Sequence, residues 1–353
     1  MERRGARMGK LRVGVIGLGM GRGHIKGYKT HPDCEVVAVC DTDSSRLKWV
    51  GDEFGIANRY TSSKEMFAKE RLDVVSVATP NKFHMPLTLE AIKAGAHVLC
   101  EKPMAMNAGE ARKMLAAARK AGRRLMINFS YRFNAMSQAL KSQVESGILG
   151  EVYFARSVWH RRWGFPRMGS WFGVKELSGG GPLIDLGVHR MDLALWLMGY
   201  PQPKTILGAA YDRLARPAAD AAKAKYDCED FAVGLIRFAG GATVELEASW
   251  AAHRPEPEFM ETRIFGSKGG LVQKNVGGGY NFEAELFTTE NGYRFDKKLA
   301  AANQPVPSAM EHFVESIRTD SPHMATGEEG VKVMQILDGI YESAKTGKAV
   351  EAG

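Results

Sequence analysis

The first 130 or so residues alternate between two hydrophobic patterns. Apolar runs of strand length at 11–16, 35–40, 73–79, 96–100 and 124–128 are each followed by a helical stretch. The helices read at 44–54, at 84–94 stopping at Gly95, and up to Ala121, where Asn107 with Glu110 three residues on forms the cap. Strands alternating with helices predict a doubly wound parallel sheet, with ligand at the carboxyl ends of the strands. Gly17, Gly19, Asp41, Thr79, Pro80, Asn81, Glu101, Lys102 and Asn128 all fall at those ends.

From about Asn134 the pattern changes. A helix at 135–146 leads into strand-like runs at 152–159, 204–211, 230–238, 243–250, 262–265 and 285–288, with Gly240-Gly241 and Asn291-Gly292 as hairpin turns. These runs alternate more and are joined by short turns, so an antiparallel or mixed sheet is expected, one face on helices and the other broad enough for an oligomer interface. Residues 215–225 are Ala-rich and unpatterned and read as a mobile surface loop, and helices near 307–319 and 328–345 close the chain. At 353 residues, two domains are the better expectation.

One helix carries candidate chemistry. Gly179-Gly180-Gly181 frees the backbone, Pro182 presets a first helical turn, and Ile184, Val188, Met191 and Leu195 form an apolar stripe. Beside the stripe, Asp185 and His189 stand four apart on one face, with Asp192 a turn further. A carboxylate one turn from an imidazole can orient it and stabilise its protonated form, as a general base requires. The plainer reading is a buried histidine satisfied by its helix neighbour. A zinc site at Asp185, His189 and Asp192 is the weaker alternative, because catalytic zinc usually takes more His or Cys, and no metal is expected.

Charge and cysteine usage narrow the classes. The net charge of +8 is spread without a long basic run, so an anionic small molecule accounts for it better than nucleic acid. Cys34, Cys40, Cys100 and Cys228 lack metal-type spacing and read as reduced, buried thiols of a cytoplasmic protein. Arg3-Arg4, in a flexible basic lead-in over 1–10, resembles a twin-arginine export signal, but no separate apolar region follows. No run approaches the ~18 apolar residues of a membrane span.

The turn after the first strand, Gly17-Leu18-Gly19-Met20-Gly21-Arg22-Gly23-His24, places backbone amides and a helix N-terminus where a pyrophosphate binds. Gly17 and Gly19 fit the G-x-G-x-x-G fingerprint, but its third glycine falls on Arg22, with Gly21 and Gly23 flanking it, which predicts a redrawn turn. Asp41 stands where an acidic residue hydrogen-bonds the adenosine ribose, favouring NAD over NADP, although nearby Arg46 blurs that preference. The alternative for Asp41 is a plain helix cap.

The Gly-rich turn with His24, Ala78-Thr79-Pro80-Asn81 with His84, the run from Ala94 through Glu101-Lys102-Pro103, Tyr131-Arg132-Phe133, Gly147-Ile148-Leu149-Gly150, and the Gly179–Asp192 stretch together resemble one family. It is that of glucose–fructose oxidoreductase, inositol dehydrogenase and the rhizopine-catabolism protein (Gfo/Idh/MocA). The resemblance implies an α/β chain: a Rossmann domain over 1–133, then a substrate-binding and oligomerisation α+β domain over 134–353 with a largely antiparallel open sheet. It implies Lys102, Asp185 and His189 as catalytic residues, Lys102 reaching between nicotinamide and substrate. The cofactor set is Gly17, Gly19, Met20, Gly21, His24, Asp41, Arg46, Thr79, Pro80, Asn81, His84, Glu101, Lys102 and Asn128.

The resulting expectation is a cytoplasmic NAD(P)-dependent dehydrogenase of carbohydrate metabolism, acting on a sugar, polyol or cyclitol hydroxyl as a homo-oligomer, without nucleic-acid or membrane partners. Arg132 is expected at the substrate, as are Arg162, Arg167 and Trp171 of an aromatic and arginine-rich segment over 159–172, read as a substrate lid; an ordinary surface loop is the alternative. NAD-dependent, redox-neutral glycoside cleavage and non-catalytic dinucleotide sensing remain the rival functions.

Overall fold

The computed structural model describes residues 9–352; Arg3, Arg4 and most of the lead-in over 1–10 lie outside the described residues. The chain divides into two compact units that are not simply consecutive. The first comprises the described residues up to Met104, Arg112–Asn128 and Pro307–Gly327; the second comprises Ala105–Ala111, Phe129–Val306 and the remainder from Glu328. Among the described residues, no helix is long and apolar enough to cross a membrane.

In the first unit, β1 (Leu11–Ile16), β2 (Cys34–Cys40), β3 (Asn58–Tyr60), β4 (Val74–Val77), β5 (His97–Cys100) and β6 (Leu125–Ile127) form one parallel sheet. Its order, β3-β2-β1-β4-β5-β6, reverses direction between β1 and β4. The strands are near-continuous apolar runs because helices cover both faces of such a sheet. Strand β3 and the Ser63–Lys69 helix are too short to show a period, which is why the sequence pattern does not reveal them.

Backbone bonds continue the sheet one step past the strands. The amides of Gly17, Ala78, Glu101 and Asn128 donate to Cys40, Ile16, Val77 and Cys100 at 2.8 Å each. The residues at the carboxyl rim are therefore held by the ladder itself.

The second unit is built on nine strands: β7 (Val152–Arg161), β8 (Pro203–Tyr211), β9 (Phe231–Phe238), β10 (Thr243–Ser249), β11 (Glu258–Gly266), β12 (Gly269–Val276), β13 (Asn281–Glu290), β14 (Tyr293–Lys298) and β15 (Val350–Glu351). Their order is β14-β13-β12-β11-β7-β10-β9-β8-β15, antiparallel except where β7 meets β10. Both expected hairpins are present: Gly241 has φ 91°, and Asn291 and Gly292 have φ 52° and 83°, the double left-handed turn that tight hairpins favour. The Ala-rich stretch is not a loop. Ala215–Ala221 is a short helix with Ala215 and Ala219 buried, and the Asp230 carboxylate accepts the amides of Leu214 and Ala215. Small alanines gave no helical stripe, and the cap comes from the residue just before β9, about fifteen positions away.

The Gly327–Thr346 helix lies close against β8 and β9 because glycines meet it. A Cβ on Gly208 would lie 2.8 Å from the Ile340 carbonyl oxygen, and one on Gly234 would lie 2.4 Å from Ile340 Cδ1. Gly208→Val is expected to lower stability by about 1–3 kcal/mol in urea unfolding through overpacking. Gly240→Ala, where a Cβ meets open space, should stay within about 0.5 kcal/mol of the wild type.

Candidate active site

The glycine turn is redrawn, as its spacing suggests. The Leu18–Lys29 helix starts directly after Gly17, whose φ is 86° and where a Cβ would lie 2.5 Å from the Ala78 carbonyl oxygen. Gly21 takes the packing role of the third fingerprint glycine, since a Cβ there would lie 2.7 Å from Val15 Cγ1. Arg22 instead faces outward, paired with Glu53 at 2.5 Å and resting over the Trp49 ring. Helix geometry leaves the first-turn amides of Gly19 and Met20 without acceptors inside the helix. A Cβ on Gly19 would meet nothing within 4 Å, and Met20 is 66% exposed, so this end of the helix is open to an anion.

Asp41 is more than a helix cap. One oxygen accepts the Leu18 amide at 2.8 Å and the other accepts the Asp43 amide at 2.9 Å, while Asp43 itself caps Ser44–Phe54. Arg46 reaches the second lone pair of both oxygens, so a ribose hydroxyl binding Asp41 would displace or share that contact while the turn stays anchored. Arg46 pairs with Asp41 at 3.2 Å and with Asp43 at 3.4 Å, so its charge is already directed at carboxylates.

Four residues expected to face the cofactor lie behind the rim. Glu101 Oε1 accepts from Asn128 Nδ2 at 2.6 Å and lies 2.7 Å from His24 Nε2, while His24 Nδ1 contacts the Ser76 hydroxyl at 3.0 Å. His84 is fully buried, with ring nitrogens 2.7 Å from the Pro103 carbonyl and 2.8 Å from that of Thr79. It ties the Thr79–Asn81 turn to the segment following Lys102. The polar side chains of His24, His84, Glu101 and Asn128 thus hold the rim from beneath, a supporting role beside the cofactor contact expected of them. Between buried Glu101 and buried Pro103, Lys102 alone is partly exposed.

In the second unit, Pro182 does open the helix, but Leu183–Gly187 forms a wide turn with i→i+5 pairing before the regular helix Val188–Leu197. Such turns recur at functional sites. The expected apolar stripe understates the burial. From Gly181 to Leu197 every residue is buried except Asp185 and His189. Trp250 Nε1 donates to Asp185 Oδ2 at 3.0 Å. The His189 imidazole packs against Tyr131, with ring centres 5.4 Å apart, and against Trp159 at 5.7 Å.

The turn before this helix is held by a residue the sequence pattern did not single out. Glu229, buried, accepts the Gly181 amide at 2.9 Å, the Leu183 amide at 3.1 Å and the Tyr341 hydroxyl at 2.9 Å. Gly180 and Gly181 are required here, because a Cβ would lie 2.0 Å from the Tyr341 hydroxyl or 2.2 Å from the Glu229 carbonyl oxygen. Trp250 has a weak signal, standing at the end of an expected strand; Glu229 and Tyr341 have none, being joined to the turn only by folding.

Arg132 is a clear correction. Its side chain is 1% exposed and donates to Asp192, Glu329 and Tyr200, so no donor faces a substrate. Asp192, engaged by Arg132 and Tyr200, is likewise withdrawn from any metal with Asp185 and His189. Arg162 and Arg167 are exposed, and Trp171 is half-buried and stacked on Phe172 at 3.9 Å. The start of their segment is tethered beside the pair, the Gly164 amide donating to the Trp250 carbonyl at 2.8 Å.

Burial pushes the Glu101 carboxyl up, but hydrogen bonds from His24 and Asn128 and the Lys102 charge outweigh it and hold the group at about 2. A depressed folded value contributes stability above the unfolded pKa, roughly 4.3, and loses it as pH falls. The wild-type urea midpoint should therefore fall more steeply between about pH 5 and pH 2 than that of Glu101→Gln; parallel curves would contradict the assignment.

Comparison with known proteins agrees with this arrangement. Residues 11–129 match the oxidoreductase family NAD-binding Rossmann fold, and residues 141–352 match that family's C-terminal alpha/beta domain. The chain is 35% identical to a D-glucoside 3-dehydrogenase of Escherichia coli K12 over 97% of both proteins. It is 26% identical to a myo-inositol 2-dehydrogenase of Thermotoga maritima over 91% of this chain and 92% of that one. Among solved structures it resembles the aldose–aldose oxidoreductase of Caulobacter crescentus complexed with glycerol, with a TM-score of 0.83 and 27% identity over 97% and 99% of the two chains. With a glycine turn in one unit and an Asp–His pair on a buried helix in the other, and with both domains of the family matched over most of its length, the chain belongs to the Gfo/Idh/MocA oxidoreductase family.

Proposed function

We propose that this protein is an NAD-dependent dehydrogenase oxidising a secondary hydroxyl of a sugar, polyol or cyclitol. The observation that carries the chemistry is the selective exposure of Asp185 and His189 on a helix otherwise buried from Gly181 to Leu197. Burying a helix on all sides while leaving one acid–imidazole couple accessible is costly for packing alone and suits a proton-transfer site. The D-glucoside and myo-inositol dehydrogenases, similar along most of their length, support the substrate class.

His189 removes the hydroxyl proton as the carbon gives up its hydride. Asp185, fixed by Trp250, orients the imidazole and stabilises the charge it acquires. Lys102 donates to the substrate oxygen and stabilises its developing alkoxide character. The open amides of Gly19 and Met20 would hold a pyrophosphate and Asp41 a ribose hydroxyl. A bound nicotinamide dinucleotide supplies the hydride acceptor. Thr79, Pro80 and Asn81 complete the rim on which it would lie. Arg162, Arg167 and Trp171 serve in a lid over the substrate.

The protein acts in the cytoplasm as a homo-oligomer in this reading. Four buried free cysteines support the first. Leu207, Tyr211, Leu235, Tyr293 and Phe295, all exposed on the nine-stranded sheet, support the second.

An absorbance screen of sugars, glycosides and cyclitols with NAD and with NADP tests the reading. At least one should give the reduced cofactor, with NAD preferred. Against that substrate, His189→Ala should lower kcat by roughly 10²–10⁴-fold and leave the dissociation constant for NAD within about twofold. Lys102→Met should lower kcat by about 10²-fold or more. Wild-type turnover in either variant removes the role given to that residue.

A further inference from the structure

Arg190, the residue after His189, is fully buried, and among the described residues its guanidinium forms no ion pair. Its Nε and Nη2 have no hydrogen-bond partner, and Nη1 reaches only the Thr262 hydroxyl, at 3.5 Å. Aromatic faces surround it instead: the guanidinium carbon lies 4.6 Å from the Tyr131 ring centre, 5.4 Å from Trp159 and 5.5 Å from Phe282. Two of those rings are the ones against which His189 packs. The buried cation and the imidazole thus share Tyr131 and Trp159 as neighbours.

An unpaired buried guanidinium is costly. Thr262 and the rings do not replace its lost hydration, and burial lowers its proton affinity from the ordinary arginine value, opposed by Tyr131 and Glu258. The other charges on this wall are matched among themselves. Glu258 accepts from Trp159 Nε1 at 2.6 Å, from Arg161 at 2.9 Å and from Tyr280 at 3.2 Å. Further along the helix, Asp192 is paired with Arg132. Near the imidazole, Asp185 on its own helix favours the protonated ring, Tyr131 is neutral because burial raises its phenol, and Arg190 opposes protonation; Arg161, whose charge reaches Asp185, is paired with Glu258.

We propose that Arg190 is a positioning residue for the catalytic pair: its buried charge fixes Tyr131 and Trp159 as the wall behind His189 and keeps that imidazole in its neutral, proton-accepting form. The role deepens the dehydrogenase reading, which gives the imidazole its task. It counterbalances Asp185, which alone would leave the base protonated to higher pH.

The test reads the imidazole directly and needs no substrate. In full-length protein labelled at histidine, with the His189 signal assigned by His189→Asn, its titration is followed by NMR in the wild type, Arg190→Lys, Arg190→Met and Arg190→Gln. Removing the charge should raise the His189 pKa by about half a unit or more in Met and Gln, the size expected for a charge within about 10 Å at an effective dielectric of a few tens. Arg190→Lys should restore most of the wild-type value. Thermal unfolding identifies folded variants, and Arg190→Gln carries the comparison if Arg190→Met does not fold. An unchanged titration in a folded neutral variant overturns the proposal, as does a shift equally large in Arg190→Lys. A shift with the expected pattern in a protein that oxidises no polyol leaves this electrostatic assignment standing and removes the dehydrogenase reading instead.

Discussion

A helix buried on every side needs something to fix its rotation and its depth, and here that is a carboxylate at its start. Glu229 receives the amides of Gly181 and Leu183 together with the Tyr341 hydroxyl, satisfying donors that a helix beginning in the interior leaves open. With that end pinned, the wide turn at Leu183–Gly187 and the regular turns after it can emerge only one way. The middle is pinned by a second contact, the Arg132–Asp192 pair. Between these two anchors lie the only two residues that reach the surface, Asp185 and His189. Their exposure is a consequence of how the rest of the helix is held.

The first unit solves a parallel problem with backbone. Gly17, Ala78, Glu101 and Asn128 each prolong the ladder by one bond at the carboxyl rim, and a polar layer beneath, His24, Ser76, Glu101, Asn128 and, at another point, His84, holds the rim from inside. Buried polar groups of this kind rigidify when every member is satisfied. The result is an open helix end at Gly19 and Met20, an acidic acceptor at Asp41 and one partly exposed lysine at Lys102, all on a frame with little freedom.

Which parts of this could be read from residues alone follows from the range of the forces involved. The parallel strands other than β3 were legible because burial on both faces writes an unbroken apolar run, and the hairpins at Gly240-Gly241 and Asn291-Gly292 because a turn's dihedral demand is local. The Asp185–His189 couple was visible through its spacing. What the pattern missed is non-local. Nothing near Glu229 says that it caps a turn 48 residues away, and nothing near Trp250 says that its indole fixes Asp185. The same reasoning explains why Arg132, His24 and His84 read as ligand contacts although their polar atoms are engaged inside the fold. Polar residues in recognisable motifs invite a ligand, but a motif also persists when its side chains are the scaffold.

The two adjacent uses of buried arginine make that distinction physical. Arg132 also lies over rings, those of Phe129, Trp196 and Tyr200, but it donates to Asp192, Glu329 and the Tyr200 hydroxyl, and its charge is neutralised where it stands. Arg190 sits among rings, which soften a cation without cancelling it. A paired charge has little field beyond its partner, whereas an unpaired one in a low-dielectric wall acts on whatever lies behind that wall. The first arrangement builds a helix anchor. The second maintains a standing potential beside His189, and a fold that keeps such a charge unpaired next to the partly exposed imidazole of an otherwise buried helix is tuning a proton.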